Sequence, residues 1–460
     1  MLASVFKAYD VRAVHPDPLS VDVARSIGCG AGEFFRERVG ERDAPVRIAV
    51  GHDMRLSSPE LVLALEDGLR SRGCDVVHVG LVDTPFVAFA VNHLECDGGI
   101  QTTASHNPAH YNGFKICAAH AKPVGEDTGL RRIRELAELG DHPPVEHVGE
   151  RTDVDLWDAY REHVFRYLDP GFLDGTRRLK VAIDASNGMA GTMIPRLFDD
   201  VPGIELVRIN FENESGVFVH EPNPLVEANL QPVRDAVRSE GADLGICFDG
   251  DADRCMVVDE RGGIIGCDLL TAWLSRRFIV DEPGASIVYD LRSSHCVQEA
   301  VRAAGGEPVR SRVGHVFMKQ KLAECSAPFG GELSGHFYFR DNWYADSGAM
   351  AFALVLTELV SAEQPLSRLI EPMRGYVQSG EINFQVEDKA AAMERLKSAY
   401  PDAEVDELDG VTVQLSDWWC NVRASNTEPL LRLNLEGPDA AFVQKQVEAV
   451  SSLLGTRVDH

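Results

Sequence analysis

The chain contains an internal repeat, and a repeat restricts the possible folds more than any single motif does. VRIAVGHDMRLSSPELVLALEDGLRSRGCDVVHVG begins at Val46, LKVAIDASNGMAGTMIPRLFDD at Leu179 and SIVYDLRSSHCVQEAVRAAGGEPVRSRVGH at Ser286. Each copy opens on a short β-branched or apolar run that reads as a buried strand. A polar turn follows, then apolar residues at helical spacing, such as Leu61, Ala64, Leu65 and Leu69 in the first copy. In the first and third copies a glycine (Gly73; Gly305 and Gly306) suits the helix end before a further strand. Strand, turn, helix and strand, recurring at intervals of roughly 110 to 130 residues, predict three related α/β domains with mixed, largely parallel sheets and right-handed crossovers. The last stretch departs from this pattern. INFQV from Ile382, a helical run from Lys389 to Tyr400, a hairpin at Asp409-Gly410 and a closing amphipathic helix from Ala440 predict an α+β domain.

A length of 460 residues suggests about three domains at ~150 residues each. The repeats and the odd C-terminal unit raise that to four. Boundaries fall in the proline-containing run Gly140 to Arg151, just after Arg254, and near Gln364 to Gly380. The expected domains are 1–148, 149–255, 256–368 and 369–460, arranged around a central cleft. With 72 Asp+Glu against 45 Lys+Arg, the net charge of −27 argues against nucleic acid or an anionic membrane as partner. The longest apolar run, Ala349 to Val355, is too short for a membrane span and reads as a buried helix. Lys7 and Asp10 interrupt any secretion signal in MLASVFKAYD, so the expected compartment is the cytoplasm. The ten cysteines include no C-x-x-C pair, which leaves no zinc or redox motif and favours small, reduced, buried thiols.

Four stretches carry chemistry. TTASHNPAHYNGFKI, Thr102 to Ile116, is rich in turn formers, with Asn107-Pro108 and Asn112-Gly113 expected to make two bends. Ser105, with His106 beside it and Lys115 ten residues on, can act as an oxygen nucleophile or carry a phosphoryl group; a simple capped turn is the competing reading. FDGDADR, Phe248 to Arg254, follows the apolar strand ADLGICF. Asp249, Asp251 and Asp253 alternate, so in an extended segment their carboxylates share one side and repel unless a cation sits among them. Hard oxygen ligands suit Mg²⁺, whose usual partner is a phosphate. An EF-hand competes, since Glu260 falls at the twelfth position from Asp249, but Arg254 stands where that loop needs Gly. A solvated acidic turn is the third reading.

GGELSGH, Gly330 to His336, offers glycines that let the backbone approach a ligand, and Glu332 and Ser334 able to hydrogen-bond neighbouring sugar hydroxyls. RASNTEPLLR, Arg423 to Arg432, lies between two strands of the last domain. Arg423, Ser425, Asn426 and Thr427 make a compact donor cluster suited to a dianion, although Ser-Asn-Thr also forms ordinary turns. The four stretches lie one in each expected domain. A phosphoryl carrier, a hard-cation site, a hydroxyl reader and a phosphate clamp together specify phosphoryl transfer on a sugar phosphate.

TASHNP, DGDADR, GELSGH and RASNTEP, with AYDVR near the start and Gly314-His315, resemble the α-D-phosphohexomutase superfamily over essentially the whole chain. The pairing of GELSGH with RASNTEP is most similar to the bacterial phosphomannomutase/phosphoglucomutase group. The resemblance implies interconversion of hexose 1-phosphate and hexose 6-phosphate, of mannose and/or glucose, through a phosphoserine and a bound 1,6-bisphosphate. Phosphoglucosamine mutase is the alternative within the superfamily, and a serine-phosphoenzyme sugar phosphatase the alternative outside it.

Residue by residue, the resemblance implies a phosphorylated Ser105, and one Mg²⁺ per site on Asp249, Asp251 and Asp253 with a Ser105 phosphoryl oxygen. Lys115 and Arg12 would flank the transferring group. His315 and His336 would be acid/base candidates, Tyr9 would line the cleft and Arg254 would contact the phosphoserine region. Glu332 and Ser334 would bind the sugar's 3- and 4-hydroxyls, while Arg423, Ser425, Asn426 and Thr427 would clamp the phosphate that is not transferred. Arg292 stands where many relatives have Lys, which keeps the charge but changes its geometry. Glucose 1,6-bisphosphate or an equivalent activator and small-molecule hexose phosphates are the expected partners, of a chain expected to be a monomer or dimer.

Overall fold

Each repeat opens on a strand that ends in the middle of a sheet. The computed structural model describes residues 2–140, 142, 144–425 and 430–458. In the first sheet, Val46–His52 pairs in parallel with both Cys74–Leu81 and Gly98–Thr102. In the second, Leu179–Asp184 lies parallel between Ile204–Ile209 and Leu244–Phe248. In the third, Ser286–Asp290 lies parallel between Glu307–Ser311 and Phe329–Gly331. Strands of this kind are covered on both faces, which is why their sequences are almost continuously apolar.

Contact density divides the chain into two compact units. The first comprises Met1–Ile265 with Ser334–Ser367, and the second Gly266–Leu333 with Arg368–His460. The first unit thus holds two of the repeats. One of its cores gathers Ile48, Val50, Leu65, Leu69, Ile100, Phe114 and Ile116, all buried. The run Ala349 to Val355 lies in the buried helix Gly348–Ala362, whose Ser347 cap accepts from the Met350 amide. The second unit joins the third repeat to an antiparallel sheet in which Trp419–Ala424, Leu430–Gly437 and Ile382–Gln385 are successive neighbours. Helices Lys389–Ala399 and Ala440–Leu454 accompany this sheet, so the C-terminal segment is α+β as its pattern predicts. Its hairpin turns at Gly410, where φ is +71°, with Asp406 opposite Thr412.

The fold places the motifs at equivalent points. In each repeat the third strand runs into a short turn and then a further strand. Ser105 lies in the turn between Gly98–Thr102 and the antiparallel Tyr111–Ala118. DGDADR joins Leu244–Phe248 to the antiparallel Cys255–Asp259. GELSGH begins within Phe329–Gly331 and ends before Phe337–Phe339. The chemistry therefore sits after the carboxyl ends of the central strands, where open α/β sheets bind ligands.

Asn112-Gly113 is not a bend. Both residues lie in the strand Tyr111–Ala118, and Gly113 is needed because the edge strand Val11–Val14 crosses it closely. A Cβ there would stand 1.9 Å from the Val11 carbonyl oxygen. All ten cysteines are free, and eight are buried. Among the described residues no single helix is long and apolar enough to cross a membrane.

Candidate active site

Ser105 is 2% exposed and has φ +50°, a left-handed conformation that only well-supported turns sustain. The support comes mainly from Arg55. Its Nη2 donates to the carbonyls of Ser105 (2.8 Å) and Asn107 (2.7 Å), and its Nη1 to those of Pro108 (2.7 Å) and Tyr111 (3.0 Å). Asp53 accepts from Arg55 Nε at 3.1 Å, and neither side chain is exposed. The Thr103 hydroxyl accepts from the Ser105 amide. Arg12, on the crossing edge strand, donates to the Asn107 side chain at 2.6 Å and pairs with Asp10.

The Ser105 hydroxyl lies 3.2 Å from Asp249 Oδ2 and 3.2 Å from His106 Nδ1. Gly250 permits this approach, since a Cβ there would lie 2.4 Å from the Ser105 carbonyl oxygen. One oxygen from each of Asp249, Asp251 and Asp253 lies within 4.8 Å of the others. Convergence does not come from strand alternation. Ala252 has φ +58°, so the segment folds over on itself and brings the carboxylates together in a turn. Lys115 Nζ bridges Asp251 at 2.7 Å and Asp253 at 2.6 Å, and Thr84 adds its hydroxyl to Asp251. Asp251 Oδ1 is buried without a hydrogen bond among the described residues. A buried oxygen left over in a three-carboxylate turn fits a hard divalent cation.

Electrostatics in this turn are tightly coupled. Burial raises the Asp249 carboxyl well above the usual carboxylate range, and the charges of Asp253 and Asp251 act in the same direction. Asp253 lies well below that range: burial opposes this, but Lys115 and His336 outweigh it. Burial also works against the Lys115 ammonium, yet Asp251 and Asp253 hold its proton more firmly than usual. His106 is pushed well below the ordinary imidazole value, first by burial and then by Arg254, Arg12 and Lys115. It is therefore neutral at pH 7. Arg254 links the turns: its amide donates to Asp249 at 3.2 Å and its Nη2 lies 3.2 Å from His106 Nδ1. His336 Nε2 lies 3.3 Å from Asp253 and 3.8 Å from Asp346, and its Nδ1 lies 2.9 Å from the Ser334 hydroxyl. Tyr9 is half-buried in the bend before Val11–Val14.

The second unit collects the remaining candidates. Glu332 is buried and accepts from the Gly314 amide at 2.9 Å, which puts it beside His315 at the start of the helix His315–Glu324. The next residue, Leu333, donates its amide to Asp290, which also holds Arg292 through Nε and Nη2. Arg423 is 3% exposed and pairs with Glu381 at 2.7 Å. Ser425 is buried at the end of the same strand. Asn426 and Thr427 lie outside the described residues. The glycines of GGELSGH serve packing at their start, where a Cβ on Gly331 would lie 2.0 Å from the Thr271 hydroxyl.

Four family models match successive stretches of the chain. Phosphoglucomutase/phosphomannomutase alpha/beta/alpha domain I covers residues 3–142, domain II 158–263, domain III 268–376 and the C-terminal domain 381–453. The chain is 40% identical to the protein named phosphohexose mutases in Xanthomonas campestris pv. campestris (strain B100), over 99% of this chain and 100% of the relative. It belongs to the phosphoglucomutase/phosphomannomutase family. A phosphomannomutase of Escherichia coli (strain K12) is 38% identical over 98% of each chain. A phosphoglucomutase/phosphomannomutase family protein from Burkholderia thailandensis superposes with a TM-score of 0.88 at 34% identity, covering 97% of this chain and 96% of that one. Four sheets with their helices, three of them repeats, are the fold of this family.

Within this phosphoglucomutase/phosphomannomutase fold the first unit brings Ser105, Arg12, Lys115, the three aspartates, Arg254, Ser334 and His336 into one network. The second does the same for Arg292 with Glu332, and for Arg423 with Arg292 through Glu381. Sequence reasoning missed Arg55, Thr84, Asp346 and Glu381. Only Arg55 left a sequence signal, since HDMRLSS is the polar turn directly after the buried first strand of the repeat.

Proposed function

We infer that this chain is a phosphohexomutase that interconverts hexose 1-phosphate and hexose 6-phosphate, of mannose and/or glucose, through a phosphorylated Ser105 and a bound hexose 1,6-bisphosphate. The observation that carries this reading is the Ser105 hydroxyl 3.2 Å from Asp249 inside a three-carboxylate turn. Asp249, Asp251 and Asp253 would hold Mg²⁺ with a Ser105 phosphoryl oxygen, and the ion would supply neutralisation of phosphoryl charge. Within the first unit three carboxylates face Lys115, Arg12 and Arg254. Asp10 also pairs with Arg12, so carboxylates outnumber cations and a phosphoryl dianion on Ser105 calls for further positive charge.

In the forward step the bond from phosphorus to Ser105 Oγ breaks as a bond forms to the free 1- or 6-hydroxyl oxygen of the sugar. The sugar hydroxyl gives its proton to a base, and the released serine oxygen takes one up. After the bisphosphate turns over, its other phosphoryl returns to Ser105. Lys115 and Arg12 neutralise the moving group, while Arg254 braces the serine turn. His315 and His336 are the base candidates; Lys115, held protonated between two carboxylates, suits charge neutralisation instead. Tyr9 lines the site. Glu332 and Ser334 read the sugar hydroxyls, and Arg292, Arg423, Ser425, Asn426 and Thr427 grip the phosphate that stays.

The test is a rate comparison on purified protein with Mg²⁺ and catalytic glucose 1,6-bisphosphate. Mannose 1-phosphate and glucose 1-phosphate should isomerise faster than glucosamine 1-phosphate, and Ser105→Ala should abolish turnover. Rapid release of inorganic phosphate without isomerisation would identify a phosphatase and overturn the reading. A dominant rate on glucosamine 1-phosphate would overturn the sugar assignment.

A further inference from the structure

In every repeat a buried aspartate, at or directly after the end of the first strand, accepts from the amide two residues on. Asp53 Oδ1 takes the Arg55 amide at 3.1 Å, Asp184 Oδ1 the Ser186 amide at 2.8 Å and Asp290 Oδ1 the Arg292 amide at 2.8 Å. The turn so formed reaches across to the chain that leaves the third strand. From the first copy, Arg55 donates to the carbonyls of Ser105 and Asn107. From the second, the Ser186 hydroxyl donates to the Phe248 carbonyl at 2.7 Å, directly before DGDADR. From the third, the Asp290 carboxylate itself accepts from the Leu333 amide at 2.7 Å. The same bridge at three equivalent points makes it a property of the repeat.

The third copy uses it differently. Arg55 spends its guanidinium mainly on backbone carbonyls, whereas Arg292 is bound side-on to its own aspartate, through Nε at 3.1 Å and Nη2 at 2.9 Å. Such a fork fixes the plane of a guanidinium. It leaves Nη1 as the nitrogen without a bond to Asp290, 3.7 Å from Glu381. Burial works against the charge of Asp290, yet Arg292 and the Leu333 amide hold its carboxyl below the usual range. The turn that carries both residues is fixed amide by amide. Leu291 donates to the Ser311 carbonyl, Ser293 to the Asp290 carbonyl, Ser294 to Asp268 and His295 to Glu436. Leu333 directly follows Glu332, whose carboxylate accepts from the Gly314 amide.

We propose that Asp290 is a positioning residue that ties the guanidinium of Arg292 and the carboxylate of Glu332 together at one fixed spacing. This rests on the phosphohexomutase reading given above, in which Arg292 grips the phosphate that stays and Glu332 reads sugar hydroxyls. A hexose phosphate offers those two groups at a separation set by its ring. Holding both contacts in place beforehand removes the cost of ordering them when the sugar binds. Asp290 therefore acts on substrate binding through its two partners, and the transfer of phosphoryl to and from Ser105 is left to other groups.

The test compares parent and variants of the full chain by steady-state kinetics on glucose 1-phosphate, with Mg²⁺ and catalytic glucose 1,6-bisphosphate, at a temperature where each is folded. Calorimetric titration of glucose 6-phosphate, which needs no turnover, accompanies it. Asp290→Asn keeps the shape but sets an NH2 donor against the donors of Arg292 or Leu333. KM and the dissociation constant should both rise on the order of tenfold, the usual scale for losing a charged hydrogen bond, while kcat falls by a smaller factor. Arg292→Gln should weaken binding by itself, and Asp290→Asn added to it should cost less than it costs the parent. A purely structural Asp290 would lower the thermal midpoint and leave KM and affinity at parent values, which overturns the proposal. So does a kcat loss that exceeds the KM rise, or a double variant in which the two factors multiply in full. Should Asp290→Asn fail to fold, Asp290→Glu keeps the charge but displaces it by one methylene, and must raise KM in the same way; an unchanged KM overturns the proposal equally. A parent that isomerises hexose phosphates while Asp290→Asn binds them normally keeps the proposed function and loses the positioning role. A parent that binds glucose 6-phosphate without isomerising it loses the proposed function, and the change in affinity then decides the positioning role alone. A parent that neither binds nor isomerises loses both.

Discussion

The Ser105 turn hangs from the buried guanidinium of Arg55. Four carbonyl oxygens accept from its guanidinium, and a left-handed Ser105 costs about 1–3 kcal/mol that those bonds must offset. Arg55→Gln should lower stability by about 3–5 kcal/mol, the usual result of breaking a buried charged network, and reduce kcat by roughly 10²-fold through displacement of Ser105. Arg55→Lys keeps the charge but reaches fewer carbonyls, so it should fall in between; a Lys variant with full kcat in steady-state assays would contradict the argument. Asp251 makes the complementary case. It accepts from Lys115 and Thr84 and retains one unpaired oxygen, so Asp251→Asn should move the Mg²⁺ activation midpoint upward by at least about tenfold. An unchanged titration curve would remove Asp251 from the metal site. The aspartates were legible in the sequence because they are adjacent. The partners of Arg55 and Glu381 were not, since they lie 50 to 56 residues away for Arg55 and 42 to 89 residues away for Glu381 along the chain.

At the scale of elements, the repeated strand–turn–helix–strand was legible because burial on both faces leaves near-continuous apolar strands and helical spacing marks the rest. Asn112-Gly113 was misread because the local signal for a turn is identical to the signal for a close strand crossing. The structure separates the two: Asn112 donates to the Ser57 and Ser58 hydroxyls from within a strand, and Gly113 lies against Val11. The crossing has functional weight, since Arg12 sits opposite Gly113 and Lys115 is two residues further along the same strand. Gly113→Ala should push the edge strand away, lowering stability by about 2–3 kcal/mol and kcat with it. Gly375, which has nothing within 4 Å of a built Cβ, gives the control. Gly375→Ala should stay within about 0.5 kcal/mol of the parent. Equal thermal midpoints for the two variants would refute the crossing argument.

Within the first unit, two buried groups, one on a helix and one hydrogen-bonded to it, set opposing pH responses. The helix Trp157–Phe165 reaches Asp83 through the Tyr160 hydroxyl at 2.9 Å and Asn342 through His163 Nε2 at 2.9 Å. Burial pushes the Asp83 carboxyl up to about 7, against the pull of the Tyr160 hydrogen bond. Burial also pushes His163 down to about 4, against the pull of Asn342. From about pH 4 to 7 folded Asp83 keeps a proton that the unfolded chain has released, so this group makes stability fall as pH rises. From about pH 4 to 6.5 unfolded His163 carries a proton that the folded form lacks, so this group makes stability rise with pH. Each slope is about 1.4 kcal/mol per pH unit, and over their shared window the two cancel. Asp83→Asn should therefore gain stability over the parent as pH is raised from 4.5 to 7, by a few kcal/mol in total. His163→Gln should lose it over the same range, up to about pH 6.5. Calorimetric unfolding of parent and variants across this range gives the difference curves; curves that run parallel to the parent would show that neither group titrates as its burial requires.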